Sequence, residues 1–128
     1  MALSVTQGAG VRLTVGVDTH LGMHVAAALD QLGRRLDTLS VPTTKAGYKR
    51  LVDWAQSLGE LERVGVEGAG SYGAGLARFL RVRGIEVLEV NRPKRRDRRG
   101  VGKSDPIDAE AAARTVLAGT AAGKPRRR

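Results

Sequence analysis

The spacing between apolar stretches changes once along this chain, and that change limits the folds open to it. The first three stretches run from Arg12 to Thr19, His24 to Asp30 and Arg35 to Val41, with only a few residues between them. Connections that short join antiparallel strands, and Gln31-Leu32-Gly33-Arg34 supplies a turn between the second and third. From Pro42 onward the apolar stretches are separated by helix-length segments. Thr43 or Thr44 can cap a helix running to about Ser57, in which Tyr48, Leu51, Val52, Ala55 and Leu58 fall at helical spacing. The lone Trp54 is expected to pack there. A fourth strand follows from Arg63 to Glu67, a helix from Ser71 to Arg83 with Ser71 as its N-cap, and a fifth strand from Glu86 to Val90. The last helix begins near Asp105-Pro106 and ends before Gly119. Strand-helix-strand units make the later strands parallel. The expectation is an α/β domain: a mixed five-stranded sheet, three antiparallel strands and then parallel ones, with helices on its faces.

That element order matches the ribonuclease H-like fold, an analogy that fixes no function by itself. A length of 128 residues suits one domain, and aromatics make up only 3%, so the core must be Val, Leu and Ala. Residues 1–10 form an expected flexible leader, 11–118 the domain, and 119–128 a basic disordered tail. No apolar run approaches the ~20 residues of a membrane helix, and no basic start with an apolar segment marks a signal peptide. Zero cysteines exclude disulfides and thiolate metal sites, which fits an intracellular protein.

Charge is unevenly placed. Residues 1–91 hold ten Lys/Arg against nine Asp/Glu, while residues 92–128 hold twelve against four. A near-neutral body with a basic end points to a polyanion. Without an amphipathic apolar face beside the basic run, nucleic acid is preferred over a membrane. Arg92, Lys94, Arg95, Arg96, Arg98, Arg99 and Lys103 are the expected backbone contacts, while Lys124 to Arg128 add non-specific attraction.

The acids carry the chemistry. Asp18 closes the first strand in Gly16-Val17-Asp18-Thr19-His20, and Glu67 closes the fourth in Val64-Gly65-Val66-Glu67-Gly68. In this order the first and fourth strands are parallel neighbours, so both acids leave the sheet at one end. Asp105 and Asp108 lie three apart at a helix start, on one face, with Pro106 in the first turn. The plain alternative is that Asp105 caps the helix and Asp108 complements its dipole. Four converging carboxylates repel unless cations hold them, and Mg²⁺ takes oxygen ligands of this kind. Two ions about 3.5–4 Å apart stabilise the attacking and leaving oxygens of a phosphodiester displacement.

Asp18 in a strand, Glu67 before a Gly-rich loop, and Lys103-Ser104-Asp105-Pro106-Ile107-Asp108-Ala109 resemble the Asp-Glu-Asp-Asp pattern of the DEDD insertion-sequence transposases. Glu67-Gly68-Ala69-Gly70-Ser71-Tyr72-Gly73 and Val90-Asn91-Arg92-Pro93 resemble that family's connecting segments, and the likeness runs from about Val11 to Leu117. The resemblance implies a RuvC-like catalytic domain in which Asp18, Glu67, Asp105 and Asp108 are catalytic metal ligands for Mg²⁺ or Mn²⁺. It implies DNA transposition and recombination, DNA binding, a structured guide RNA as partner, an oligomer in the full-length context, and a cytoplasmic, nucleoid-associated location without a membrane. It also implies a second, C-terminal domain bearing a nucleophilic serine. The sequence stops at Arg128 without one, so the expectation is a catalytic-domain fragment or truncated gene product.

Two other functions compete. One is a non-catalytic nucleic-acid-binding remnant of the same fold. The other is a dinucleotide-binding, Rossmann-like protein, because Gly68-Ala69-Gly70-Ser71-Tyr72-Gly73 is a literal G-x-G-x-x-G with Glu86 and Glu89 downstream. Against it, Glu67 would face the pyrophosphate, and three strands and a helix precede a unit that normally opens its fold. His20 and His24 are expected to border the site or the surface. An actin-like phosphate loop would need Gly where His20 stands, and Ser71 has no adjacent base to make it a nucleophile.

Overall fold

The computed structural model describes residues 10–91 and 105–119. These form strands β1 (Arg12–Thr19), β2 (Met23–Leu29), β3 (Arg35–Pro42), β4 (Glu60–Glu67) and β5 (Glu86–Val90). Helix α1 spans Lys45–Leu58, α2 Ala74–Val82 and α3 Asp105–Leu117. The sheet order is β3-β2-β1-β4-β5. β1 and β2 pair antiparallel, as do β2 and β3, whereas β1–β4 and β4–β5 are parallel. This is the mixed five-stranded sheet that the connection lengths predict. β1 is its centre, so the last residues of β1 sit between two neighbours.

The two faces of the sheet are built differently. On one, Leu13, Val15 and Val17 join Ala26, Ala28, Val64 and Val66 under α1 and α2, which contribute Leu51, Ala55, Leu76 and Leu80. Alternation along β1 turns Gly16 and Asp18 to the other face. There α3 covers the sheet with Ala109, Ala112, Ala113 and Val116, a stripe at i, i+3, i+4 and i+7. The approach is close. A Cβ on Gly16 would lie 2.2 Å from the Ala109 carbonyl oxygen and the Ala113 nitrogen. One on Gly65 would lie 2.4 Å from Val116 Cγ2. Small residues on both partners set the height of α3 above the strands.

Local chemistry explains the element ends. Thr44 caps α1, its Oγ1 accepting from the Gly47 N–H at 3.0 Å. Trp54 packs against the core and donates its Nε1–H to Asp37 Oδ2 at 2.9 Å. β4 begins at Glu60, three residues earlier than the apolar pattern indicates, because the Glu60 N–H donates to Val11 O and Glu60 pairs with Arg12. The expected start of α2 at Ser71 is corrected. Ser71 and Gly73 both turn their N–H groups onto the Gly68 carbonyl, at 2.9 and 2.8 Å, and Gly73 becomes the N-cap, without a side-chain cap bond. The same bonds answer the dinucleotide reading. The loop's N–H groups at Ser71 and Gly73 close on their own chain rather than facing a phosphate, and the loop follows the fourth strand of a mixed sheet. Among the described residues no helix is long and apolar enough to cross a membrane. Residues 1–9 of the leader, the basic loop with Arg92, Lys94, Arg95, Arg96, Arg98, Arg99 and Lys103, and most of the basic tail lie outside the described residues.

Candidate metal centre

Asp18 and Glu67 are register partners on the parallel strands β1 and β4. Each stands two residues beyond a glycine that receives α3, Gly16 for Asp18 and Gly65 for Glu67. Two strand residues advance about 6.8 Å, and four helical residues about 6.0 Å. These steps nearly match. The helix therefore continues its buried stripe backward, from Ala109 and Ala112 to Asp105 and Asp108, over the strand ends that carry Asp18 and Glu67. The sheet glycines thus do more than admit the helix. They bring its first turn down to the height of the acids.

The contacts agree with that geometry. Asp18 is 7% exposed, beneath the first turn of α3. His20 places Nε2 2.9 Å from Asp18 Oδ2 and 3.5 Å from Asp105 Oδ1, bridging the strand end and the helix. One ligating atom from each of Asp18, His20 and Asp105 falls within 4.8 Å of the others. Burial pushes the Asp18 carboxyl above its ordinary range; His20 opposes this by charge and hydrogen bond, and the negative charges of Asp108 and Asp105 add to the rise. The ionised form of Asp18 is therefore short of positive charge in this fold.

The strand ends are fastened to each other. Thr19 Oγ1 donates to the Glu67 carbonyl at 2.7 Å. Gly68 then turns the chain at φ +79, where a side chain would both strain the backbone and meet Thr19 Oγ1 at 2.8 Å. His20 is held by its own backbone, whose N–H donates to Met23 O at 3.1 Å. His24 borders the site from below rather than the surface, its Nδ1 accepting from the His20 N–H at 3.4 Å. It is fully buried, stacked on Tyr48 at 6.0 Å between ring centroids, with burial holding its imidazole below the usual pKa.

The donor set suits a hard divalent cation. Opposite oxygens around an octahedral Mg²⁺ lie about 4.2 Å apart, near the spacing of the atoms present. A buried carboxylate with raised pKa beside two further aspartates gains from an added positive charge. Of the sequence-predicted ligands, Asp18 and Asp105 come within reach of one ion, Glu67 lies beside Asp18 in register, and Asp108 is close enough to raise its pKa. His20 is the residue that sequence reasoning set aside. Its signal was the Asp-Thr-His spacing, which places residues two apart on one side of a strand.

Comparison with known proteins follows the geometry. The profile of the IS110-type DEDD transposases, described as a transposase, matches residues 15–126. No curated protein matches the chain. Among solved structures it is similar to the Holliday junction resolvase of fowlpox virus, with 12% identity and a TM-score of 0.57 over 84% of this chain and 98% of that one. At that identity the likeness is one of fold, and it agrees with the ribonuclease H-like order of the sheet.

Proposed function

This chain belongs to the DEDD transposase family, and from that premise we propose that Asp18, Glu67, Asp105 and Asp108 hold divalent ions, Mg²⁺ or Mn²⁺, for phosphodiester chemistry on DNA. The family is metal-dependent in general, and its members act in DNA transposition and recombination. The observation that carries the residue assignment is the convergence of a buried Asp18, its pKa raised by burial and further by Asp108 and Asp105, with the first turn of α3.

When bound, the ions would supply Lewis-acid charge to a phosphate and activate a nucleophilic oxygen. The protein's own part is placement. The Thr19 bond to Glu67 O and the glycine-seated α3 fix the carboxylates on rigid elements, so little reorganisation is needed. His20 lies against one oxygen of Asp18 and one of Asp105 and holds the two side chains near each other. A guide RNA, an oligomer, a nucleoid-associated location and a serine-bearing partner domain extend this reading, supported by family membership alone. The contacts assigned to Arg92, Lys94, Arg95, Arg96, Arg98, Arg99 and Lys103 rest on their charge.

Titration with Mn²⁺, followed by the electron paramagnetic resonance signal of free ion, tests the assignment. Uptake by the intact chain should weaken at least tenfold in each of Asp18→Asn, Glu67→Gln, Asp105→Asn and Asp108→Asn. Uptake unchanged in Asp18→Asn and Asp105→Asn would overturn it.

A further inference from the structure

We propose that the groove between α1 and α2 is a second nucleic-acid surface, one that holds the phosphate backbone of a DNA strand leading away from the carboxylates. It rests on the reading of the carboxylate end as the place where DNA is processed. The groove has a volume of about 780 Å³ and is lined by Lys45, Tyr48, Arg78, Phe79, Val82 and Arg83, among others.

Charge segregation is the first support. The near-neutral balance of residues 1–91 hides a division that only the fold reveals. Six of their ten basic residues, Lys45, Lys49, Arg50, Arg78, Arg81 and Arg83, lie on α1, on α2 or at the α2 C-cap. Only one of the nine acids, Asp53, does, and Lys49 engages it at 3.2 Å. The other acids ride on the strands or the segments beside them. Lys45, Arg78 and Arg83 have no carboxylate within ion-pair distance among the described residues. Three unneutralised cations around one groove give a locally positive potential that attracts a polyanion.

Shape and location supply the rest. Both helices begin at the sheet end where β1 and β4 stop. Thr43, which lines the groove, donates its Oγ1–H to the His20 carbonyl at 3.4 Å. The groove thus starts at the sheet end that carries the candidate metal centre, on the opposite face of the sheet, and runs back along α2. Nine residues of α2 cover about 13 Å, room for a few nucleotides at about 3.4 Å each. Its floor is aromatic: Tyr48 and Phe79 lie 5.6 Å apart, and the Arg83 guanidinium sits 4.3 Å over the Phe79 ring. Cations along a trough with aromatic faces suit sugar-phosphate backbone and unstacked bases. The carboxylates repel phosphates, so holding the substrate falls to cations elsewhere on the domain.

The test uses the whole chain and fluorescence anisotropy across a salt series. Three labelled probes are a DNA duplex, one of its strands alone, and an RNA hairpin. In the Lys45→Gln/Arg78→Gln double variant, losing two phosphate contacts should flatten the log–log salt slope by about 1.4–1.8. Loss on the DNA probes supports the proposal, whereas loss confined to the RNA probe would overturn it and assign the groove to RNA. Arg78→Lys, which keeps the charge, should retain the wild-type slope. A slope unchanged in the double variant on both DNA probes would overturn the groove, as would an equal loss in Arg78→Lys. Mn²⁺ uptake, measured in parallel, should match wild type in every groove variant. Absent uptake by the wild type would fail the metal reading alone and leave the slope result to judge the groove.

Discussion

Gly16→Ala adds one methyl group where α3 lies nearest the sheet. The new Cβ would fall 2.2 Å from Ala109 O and Ala113 N, and 2.8 Å from Ala113 Cα. All three are backbone atoms of a helix, so no rotamer change relieves the clash. Restoring ordinary contact at 3.4 Å means lifting α3 by about 1.2 Å. Overpacking of this kind costs about 1–3 kcal/mol. For a domain of this size each kcal/mol moves the melting temperature by about 3–6 °C. The lift also carries Asp105 and Asp108 away from Asp18 and Glu67, and a misplacement of about 1 Å at a reacting centre can cost about 100-fold. Melting followed by circular dichroism, together with Mn²⁺ uptake, reads both effects. Gly65→Ala is the internal comparison. Its nearest neighbours are Val116 Cγ2 at 2.4 Å and Val90 Cγ2 at 3.0 Å, side-chain ends that can turn aside, with Ala112 O only at 3.3 Å. Gly16→Ala should therefore melt lower and bind metal more weakly than Gly65→Ala. The reverse order, or a Gly16→Ala protein indistinguishable from wild type, would refute the close seating of α3.

Three further outcomes follow from the same geometry. Metal at 100 times its dissociation constant should stabilise the fold by about 2.7 kcal/mol, a gain lost in Asp18→Asn. In metal-free buffer that variant should melt no lower than wild type at neutral pH, because the raised pKa of Asp18 means its stabilising contribution is present below the ordinary carboxylate pKa and is lost as pH rises through the folded value; a metal response retained by Asp18→Asn would contradict this. His20→Ala should lower the metal-free melting temperature by a few degrees, since Asp18 and Asp105 lose the imidazole between them, and equal melting of the two proteins would count against that bridge. Asp30 behaves oppositely to Asp18: burial favours a raised pKa, but bonds from Arg34 N, Arg34 Nε and Leu32 N at 2.8–2.9 Å win and lower it. Its contribution is present above the ordinary carboxylate pKa and lost as pH falls through the lowered value, so Asp30→Asn should flatten the acid limb of melting temperature against pH, and an unaltered limb would exclude the turn bonds as its source.

Strand direction was legible because connection length separates antiparallel from parallel strands, and the ribonuclease H-like order then placed Asp18 and Glu67 at one end of the sheet; their residue-for-residue register was not legible. The helix face shared by Asp105 and Asp108 was legible from a spacing of three. The height of α3 was not. Gly16 and Gly65 look like weak strand residues until Ala109, Ala112 and Ala113 are seen to need the room. Ser71 misled because a hydroxyl before a helix is an ordinary cap, while here the competing Gly68 carbonyl gathers the loop's N–H groups and delays α2 to Ala74. His20 was underweighted because its partner on α3 is 85 residues away in sequence. The positive face of α1 and α2 was invisible in a summed charge, since the compensating acids lie on other elements.

The central claim is that the end of β1, the end of β4 and the first turn of α3 make one metal site. Crystals of the chain soaked in Mn²⁺, with anomalous difference maps recorded near the manganese edge, test it most directly. The account predicts anomalous density about 2.0–2.2 Å from oxygens of both Asp18 and Asp105, with Glu67 or Asp108 also in the coordination sphere. Full Mn²⁺ soaks in which Asp18 and Asp105 keep their contacts with His20 and carry no anomalous density would contradict it.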